Sequence, residues 1–176
     1  MRQVTLALGG ARSGKSRFAE ELAERSGPLR TYIATAEAFD GEMQSRIDKH
    51  RARRGEGWQT IEAPLALSET LAACGSPVVL IDCLTLWISN LMFRDRDVAS
   101  EINLLCAALE RASGHVILVS NEVGMGIVPE NALSRGFRDM QGLANQKVAA
   151  VADAVYFVAA GLPLTLKTPA TEAPAR

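Results

Sequence analysis

Two short stretches hold the residue types that handle phosphate. "GGARSGKS", Gly9 to Ser16, satisfies the pattern Gly-x-x-x-x-Gly-Lys-Ser/Thr. Glycines let backbone N–H groups converge on phosphate oxygens, and a helix opening just after them adds partial positive charge. In such a cradle Lys15 reaches the β- and γ-phosphates while the Ser16 hydroxyl binds Mg²⁺. The second stretch, "RIDKHRARR" at 46–54, packs five Lys and Arg residues around one of the chain's two histidines.

On a helix Met43, Ile47, His50 and Arg54 share one face, so His50 extends an apolar stripe towards the protein body. Arg46 precedes it by four residues, and Arg53 and Arg54 follow by three and four, within side-chain reach. Neighbouring cations disfavour imidazolium and leave a neutral nucleophile. Guanidinium groups can also hold the oxygens of a phosphoryl group under attack. A histidine attacking the α-phosphate of a triphosphate forms a phosphoramidate-linked nucleotidyl enzyme. The same spacing suits a solvated helix face whose histidine only packs, or an arginine-rich lid closing over a triphosphate in a small-molecule kinase. Spacing alone leaves all three open.

A triphosphate site of this kind needs an acid near its Mg²⁺, at the end of a neighbouring buried strand. Asp82 ends "PVVLID" (77–82), a continuous apolar run of the type buried on both faces of a parallel sheet. An Asp there also suits a helix cap. "NEVGMGIVPE" places Gly124 and Gly126 in a loop after another buried strand, where Asn121 and Glu122 could contact substrate or order the loop. It is not the Asn-Lys-x-Asp that reads guanine in regulatory GTPases.

These residues need strands and helices to position them. Strands are expected at 4–8, 31–36, 58–64, 77–82, 115–120 and 154–160. Between them, helices are expected over 16–26, 42–54 (ending at Gly55), 65–73, 84–93, 98–112 and 130–151. The helix after the glycine loop turns Phe18, Ala19 and Leu22 inward. Strands separated by helices imply right-handed crossovers and a doubly wound, mainly parallel α/β sheet of the P-loop NTPase type. Length fits a single domain, expected over 1–167, with a flexible tail over 168–176. Trp58 and Trp87 read as packing residues.

Bulk properties narrow the classes further. A net charge of −1 and pI near 6.1 weigh against a general nucleic-acid binder. Cys74, Cys83 and Cys106 are odd in number and fit neither a disulfide framework nor a CxxC metal site, so a cytoplasmic location is expected. The N-terminus lacks a secretory hydrophobic core, and no apolar run approaches the ~20 residues of a membrane span.

The ordered set "GGARSGKS", "YIATA", "RIDKHRARR", "TIEAP", "VVLIDCLT", "SNEVGMGIVPE" and "FRDMQGLANQ" resembles the bifunctional adenosylcobinamide kinase/adenosylcobinamide-phosphate guanylyltransferase family of cobalamin biosynthesis. The resemblance covers essentially everything before the tail. It implies that a nucleoside triphosphate, ATP or GTP, phosphorylates adenosylcobinamide. GTP then donates GMP to adenosylcobinamide phosphate, with His50 carrying the GMP. It implies nucleotide contacts at Gly9, Gly10, Ala11, Arg12, Ser13, Gly14, Lys15 and Ser16. Further contacts fall at Ala34, Thr35 and Ala36, at Arg51, Ala52, Arg53 and Arg54, and at Glu62 and Asp82. Lys15 and His50 are the implied catalytic residues, with Ser16 and Asp82 on Mg²⁺. Glu62 could accept hydrogen bonds from guanine N1 and N2. The resemblance also implies a small-molecule corrinoid partner and a homo-oligomer, a trimer.

Overall fold

A computed structural model of the chain describes residues 2–37 and 55–168. The basic helix expected over 42–54, with His50, Arg51, Ala52, Arg53 and Arg54, lies outside the described residues, as does 169–176. The described elements are β1 (Gln3–Gly9), α1 (Lys15–Ser26), β2 (Arg30–Ala34), β3 (Trp58–Glu62), α2 (Leu67–Ala73) and β4 (Val78–Asp82). They continue through α3 (Leu84–Phe93), α4 (Val98–Arg111), β5 (His115–Asn121), α5 (Ala132–Val151), β6 (Ala154–Ala159) and β7 (Leu162–Lys167).

The strands form one sheet in the order β3-β2-β4-β5-β1-β6-β7, parallel except for β7. Each central strand is apolar on both sides because each side is covered. Val4, Leu6, Val79, Ile81, Val116 and Leu118 meet a core supplied by α2, α3, α4 and α5. Ala7, Leu80, Ile117 and Val119 alternate to the other face, where Ala19 and Ala23 of α1 pack on them. Small residues at that contact bring α1 close to the sheet. The result is the doubly wound α/β architecture that the alternating pattern predicts.

Local chemistry sets the boundaries. Asp97 caps α4 by accepting from Ser100 N at 3.1 Å, and Asn131 caps α5 by accepting from Ser134 N at 2.7 Å. Trp87 is fully buried and donates its indole N–H to Leu65 O at 2.9 Å, while Trp58 lies edge-on to Tyr32 and under the Arg30 guanidinium. Both tryptophans are packing residues.

The seventh strand goes beyond the sequence expectation, which ended at 160. A two-residue turn with positive φ at Ala160 and Gly161 folds β7 back on β6. Its leucines alternate, but Pro163 and an absence of burial hide the pattern; proline is tolerated because β7 is an edge. Lys167 closes the hairpin by donating to Ala149 O and Ala150 O at the end of α5. Among the described residues no helix is long and apolar enough to cross a membrane.

Candidate active site at the carboxyl edge of the sheet

Parallel strands present their carboxyl ends at one edge, where α/β proteins bind ligands. β1 ends there at Gly9, and the chain turns through Gly10–Gly14 into α1. Arg12 and Gly14 adopt positive φ, of 55° and 94°, so the amides of the loop curl around one centre. Gly9 has no room for a side chain: a Cβ there would lie 2.4 Å from Val158 O and 2.5 Å from Ser13 Oγ. The hairpin turn braces the loop from outside, with Gly161 N donating to Ser13 O at 2.8 Å. α1 has no side-chain N-cap and no acid in its first turn, so its amino end is left to an anionic ligand.

Lys15 is buried and donates to Gly10 O at 3.0 Å, which folds its amine back over the loop. Burial pulls its pKa below lysine's usual value, against the pull of Cys83 and Asp82. Of these two, Cys83 is a neutral thiol at pH 7: burial and the adjoining Asp82 carboxylate push it up to about 12. The Asp82 carboxylate is therefore the charge that balances Lys15. Ser16 follows in the first turn of α1, half-buried.

Strand register explains why residues so far apart in sequence assemble. Ala34 of β2 pairs with both Glu62 of β3 and Asp82 of β4, Asp82 pairs with Val119 of β5, and Asn121 of β5 pairs with Gly9 of β1. Tyr32, Leu80, Val119 and Ala7, two residues back on their strands, all pack on the α1 side. Alternation therefore puts Glu62, Ala34, Asp82, Asn121 and the bare Gly9 on that same face, with Glu62, Ala34 and Asp82 level and Asn121 and Gly9 two residues further out. That face fronts the glycine loop and Lys15. Thr35, just beyond Ala34, is fully buried and spends its hydroxyl on Cys83. Ala36 follows it, half-buried. Ala11 and Arg12 lie exposed at the loop's tip.

Among the described residues no three His, Cys, Asp or Glu side chains cluster as a metal site. The oxygen donors present, Ser16 and Asp82, fit a hard cation that keeps water and phosphate as its other ligands.

Sequence reasoning missed the polar groups that hold this edge from behind. Asn90 of α3 donates to Thr35 O at 2.8 Å and Pro64 O at 3.1 Å. Gln141 and Asn145 of α5 enter the core at the end of β5, where Gln141 Nε2 donates to Ser120 Oγ at 2.8 Å and to Asn145 Oδ1 at 3.0 Å. The signal was there: Gln141, Ala144, Asn145 and Val148 share one helical face, and two of the four are amides.

Residues 5–166 match the family described as cobinamide kinase / cobinamide phosphate guanyltransferase. The bifunctional adenosylcobalamin biosynthesis protein CobP of Pseudomonas aeruginosa is 50% identical over 166 residues, covering 92% of this chain and 96% of that one. Proteins of the same description called CobU, from Escherichia coli and Salmonella typhimurium, are 44% and 41% identical over 93% of this chain and 99% of theirs. The crystal structure of the flagellar accessory protein FlaH from Methanocaldococcus jannaschii superposes with a TM-score of 0.54. At 14% identity over 95% of this chain and 79% of FlaH, that likeness shows the fold alone.

Proposed function

The chain belongs to the cobinamide kinase / cobinamide phosphate guanyltransferase family, and is a bifunctional enzyme of adenosylcobalamin biosynthesis; on that premise we propose that its guanylyl transfer runs through a GMP–His50 intermediate. In the kinase reaction a triphosphate lies along the glycine loop. The hydroxyl oxygen of adenosylcobinamide's aminopropanol arm bonds to the γ-phosphorus as the bond to the nucleoside diphosphate breaks, and the hydroxyl proton is released. The product is adenosylcobinamide phosphate.

In the transferase reaction a neutral His50 nitrogen attacks the α-phosphorus of GTP and pyrophosphate leaves. A phosphate oxygen of adenosylcobinamide phosphate then attacks the same phosphorus. Adenosyl-GDP-cobinamide forms and the imidazole is restored. The loop amides from Gly9 to Ser16 and the Lys15 ammonium hold the phosphates, and contact with them returns full charge to a lysine that burial alone would weaken. Arg51, Arg53 and Arg54 stabilise charge at the phosphorus, and Glu62 accepts from guanine N1 and N2. Ser16 and Asp82 are the residues that would hold Mg²⁺, which supplies charge neutralisation on the phosphates.

The triphosphate site that this reading requires is supported by one observation, the register that sets Glu62, Asp82 and Gly9 on a single face opposite Lys15. Incubation with α-labelled GTP tests it. A GMP–histidine enzyme retains label that is acid-labile and stable to base; a plain kinase using 46–54 as a lid retains none.

A further inference from the structure

We infer that Asn121 reads the terminal phosphate of the bound triphosphate, through its side-chain NH₂, and aligns that phosphate for transfer. The inference rests on the kinase reading above. β5 is inserted between β4, which carries Asp82, and β1, which carries the glycine loop. Asp82 pairs with Val119, so Asn121 stands one alternation further out, level with Gly9 and on the α1 face. It occupies the gap between the acid and the phosphate cradle.

Its backbone is held from three sides. Its N–H donates to Thr85 Oγ1 of α3 at 2.8 Å, and its carbonyl accepts from Asn145 Nδ2 of α5 at 3.1 Å. The next amide, of Glu122, donates to Gly9 O at 3.0 Å and locks the residue to the loop's first glycine. Behind it, Asn145 Oδ1 accepts from Ser120 Oγ at 2.6 Å as well as from Gln141, which is fully buried. A buried polar network of this kind fixes one arrangement where an apolar core would merely fill space.

Two polar atoms around Gly9 are left without partners. Asn121 Oδ1 is sealed from solvent and accepts nothing, and on this inference the amide turns its NH₂ to the edge. Ser13 Oγ, which fills the space over Gly9, is the second unpartnered atom. An amide NH₂ carried on a backbone held this firmly beside the glycine loop is a donor for phosphate oxygen. Placed on the far side of Gly9 from the body of the loop, it contacts the terminal phosphate and not the ones nearer the helix.

The test compares wild type with Asn121→Asp, which keeps the size but sets a carboxylate oxygen against the phosphate, and with Asn121→Ala. Affinity is measured for a non-hydrolysable triphosphate and for the diphosphate, with kcat for phosphorylation of adenosylcobinamide. Losing a hydrogen bond to a charged group predicts a triphosphate-over-diphosphate preference reduced about 10- to 100-fold in Asn121→Asp, less in Asn121→Ala, and kcat reduced in parallel. Diphosphate affinity should stay within about twofold of wild type. Variants that melt earlier but keep the wild-type preference and kcat would make Asn121 purely structural and overturn the inference. A wild type that leaves adenosylcobinamide unphosphorylated sinks the kinase reading, while the preference ratio still decides Asn121. If neither variant folds, the side-chain NH₂ resonance of Asn121 in the ¹⁵N-labelled wild type decides: it should shift with triphosphate and not with diphosphate, and an unmoved signal refutes the contact.

Discussion

Thr35 Oγ1 donates to Cys83 O at 2.7 Å and accepts from Cys83 N at 2.8 Å, so one hydroxyl satisfies both backbone groups of the residue after Asp82. β2 and β4 stop pairing at Ala34 and Asp82, because the chain leaves β4 there to enter α3. The hydroxyl takes over the bonds that the sheet no longer makes. The carboxylate of Asp82 is thereby aimed by a strand end that cannot fray.

Replacing Thr35 with Val keeps the shape and orphans the buried N–H of Cys83, while Cys83 O keeps the Trp87 N–H at 3.3 Å. The expected loss is about 1–3 kcal/mol by urea denaturation, the cost of one unsatisfied buried group. Thr35→Ser should lose under about 1.5 kcal/mol, the scale of trimming one buried methyl. A larger loss in Thr35→Ser than in Thr35→Val would mean that the methyl, and not the hydroxyl, does the holding.

Two glycines should respond in opposite directions to alanine. At Gly9 the added Cβ meets the Val158 carbonyl, backbone of a buried strand that has nowhere to go. Gly9→Ala should therefore distort the loop and cost triphosphate binding at least about tenfold, a misplacement penalty on a preorganised site. At Gly142, inside α5, nothing lies within 4 Å of the added atom. Gly142→Ala should stabilise the protein by about 0.5–1 kcal/mol in thermal melts, the helix-propensity gain.

The glycine loop, the buried strands and Asp82 were legible because each is a local pattern: glycine spacing, apolar runs, an acid at a run's end. Their convergence was not. It depends on strand order, and β5, about eighty residues beyond β2 in the chain, ends up between β4 and β1. The bond from the Thr35 hydroxyl to Cys83, a contact 48 residues away in sequence, has no local signal in "YIATA". Gln141 and Asn145 are polar, and only the packing of α5 turns their face to the core. β7 was hidden for a different reason: an exposed edge strand has no burial to write into its sequence.

His50→Ala should abolish retention of label from α-labelled GTP, lowering guanylyl transfer by more than about 10³-fold as expected for loss of a covalent nucleophile. Phosphorylation of adenosylcobinamide should stay within a fewfold of wild type. Equal loss of both activities would contradict a division of labour between His50 and the Lys15 loop.

Thiol chemistry offers a check on the packing around Asp82. Cys83 is buried, and its thiol is pushed up to about 12, so almost no thiolate exists at pH 8. Burial also raises the thiol of Cys106, partly offset by Lys147, while Cys74 is half-buried. Iodoacetamide under native conditions should label Cys74 first, Cys106 next and Cys83 last, read by peptide mass spectrometry. Early modification of Cys83 would mean that the Thr35 clasp opens in solution.

The second histidine supplies a pH dependence unconnected with catalysis. Ser26 Oγ gives its one proton to Leu22 O at 2.8 Å, so it must accept from His115 Nδ1–H, also at 2.8 Å. Nε2 is then the bare nitrogen, and the Thr5 hydroxyl donates to it at 2.9 Å. Protonating Nε2 turns that acceptor into a donor and strands the proton of Thr5, which is almost fully buried. Burial lowers the His115 pKa below its usual value, and the nearby Asp153 carboxylate, engaged by Arg2 and by Val4 N, offsets only part of this. The unfolded chain therefore binds the proton more readily than the native one. Stability from His115 is complete above the unfolded histidine pKa of about 6.5 and is lost as pH falls below it, levelling off under the native pKa. In His115→Gln the amide can keep one of the two hydroxyl contacts but cannot titrate. Urea midpoints of wild type and variant, measured from pH 8 to pH 5, should converge as pH falls; parallel curves would show that His115 carries no part of the acid sensitivity.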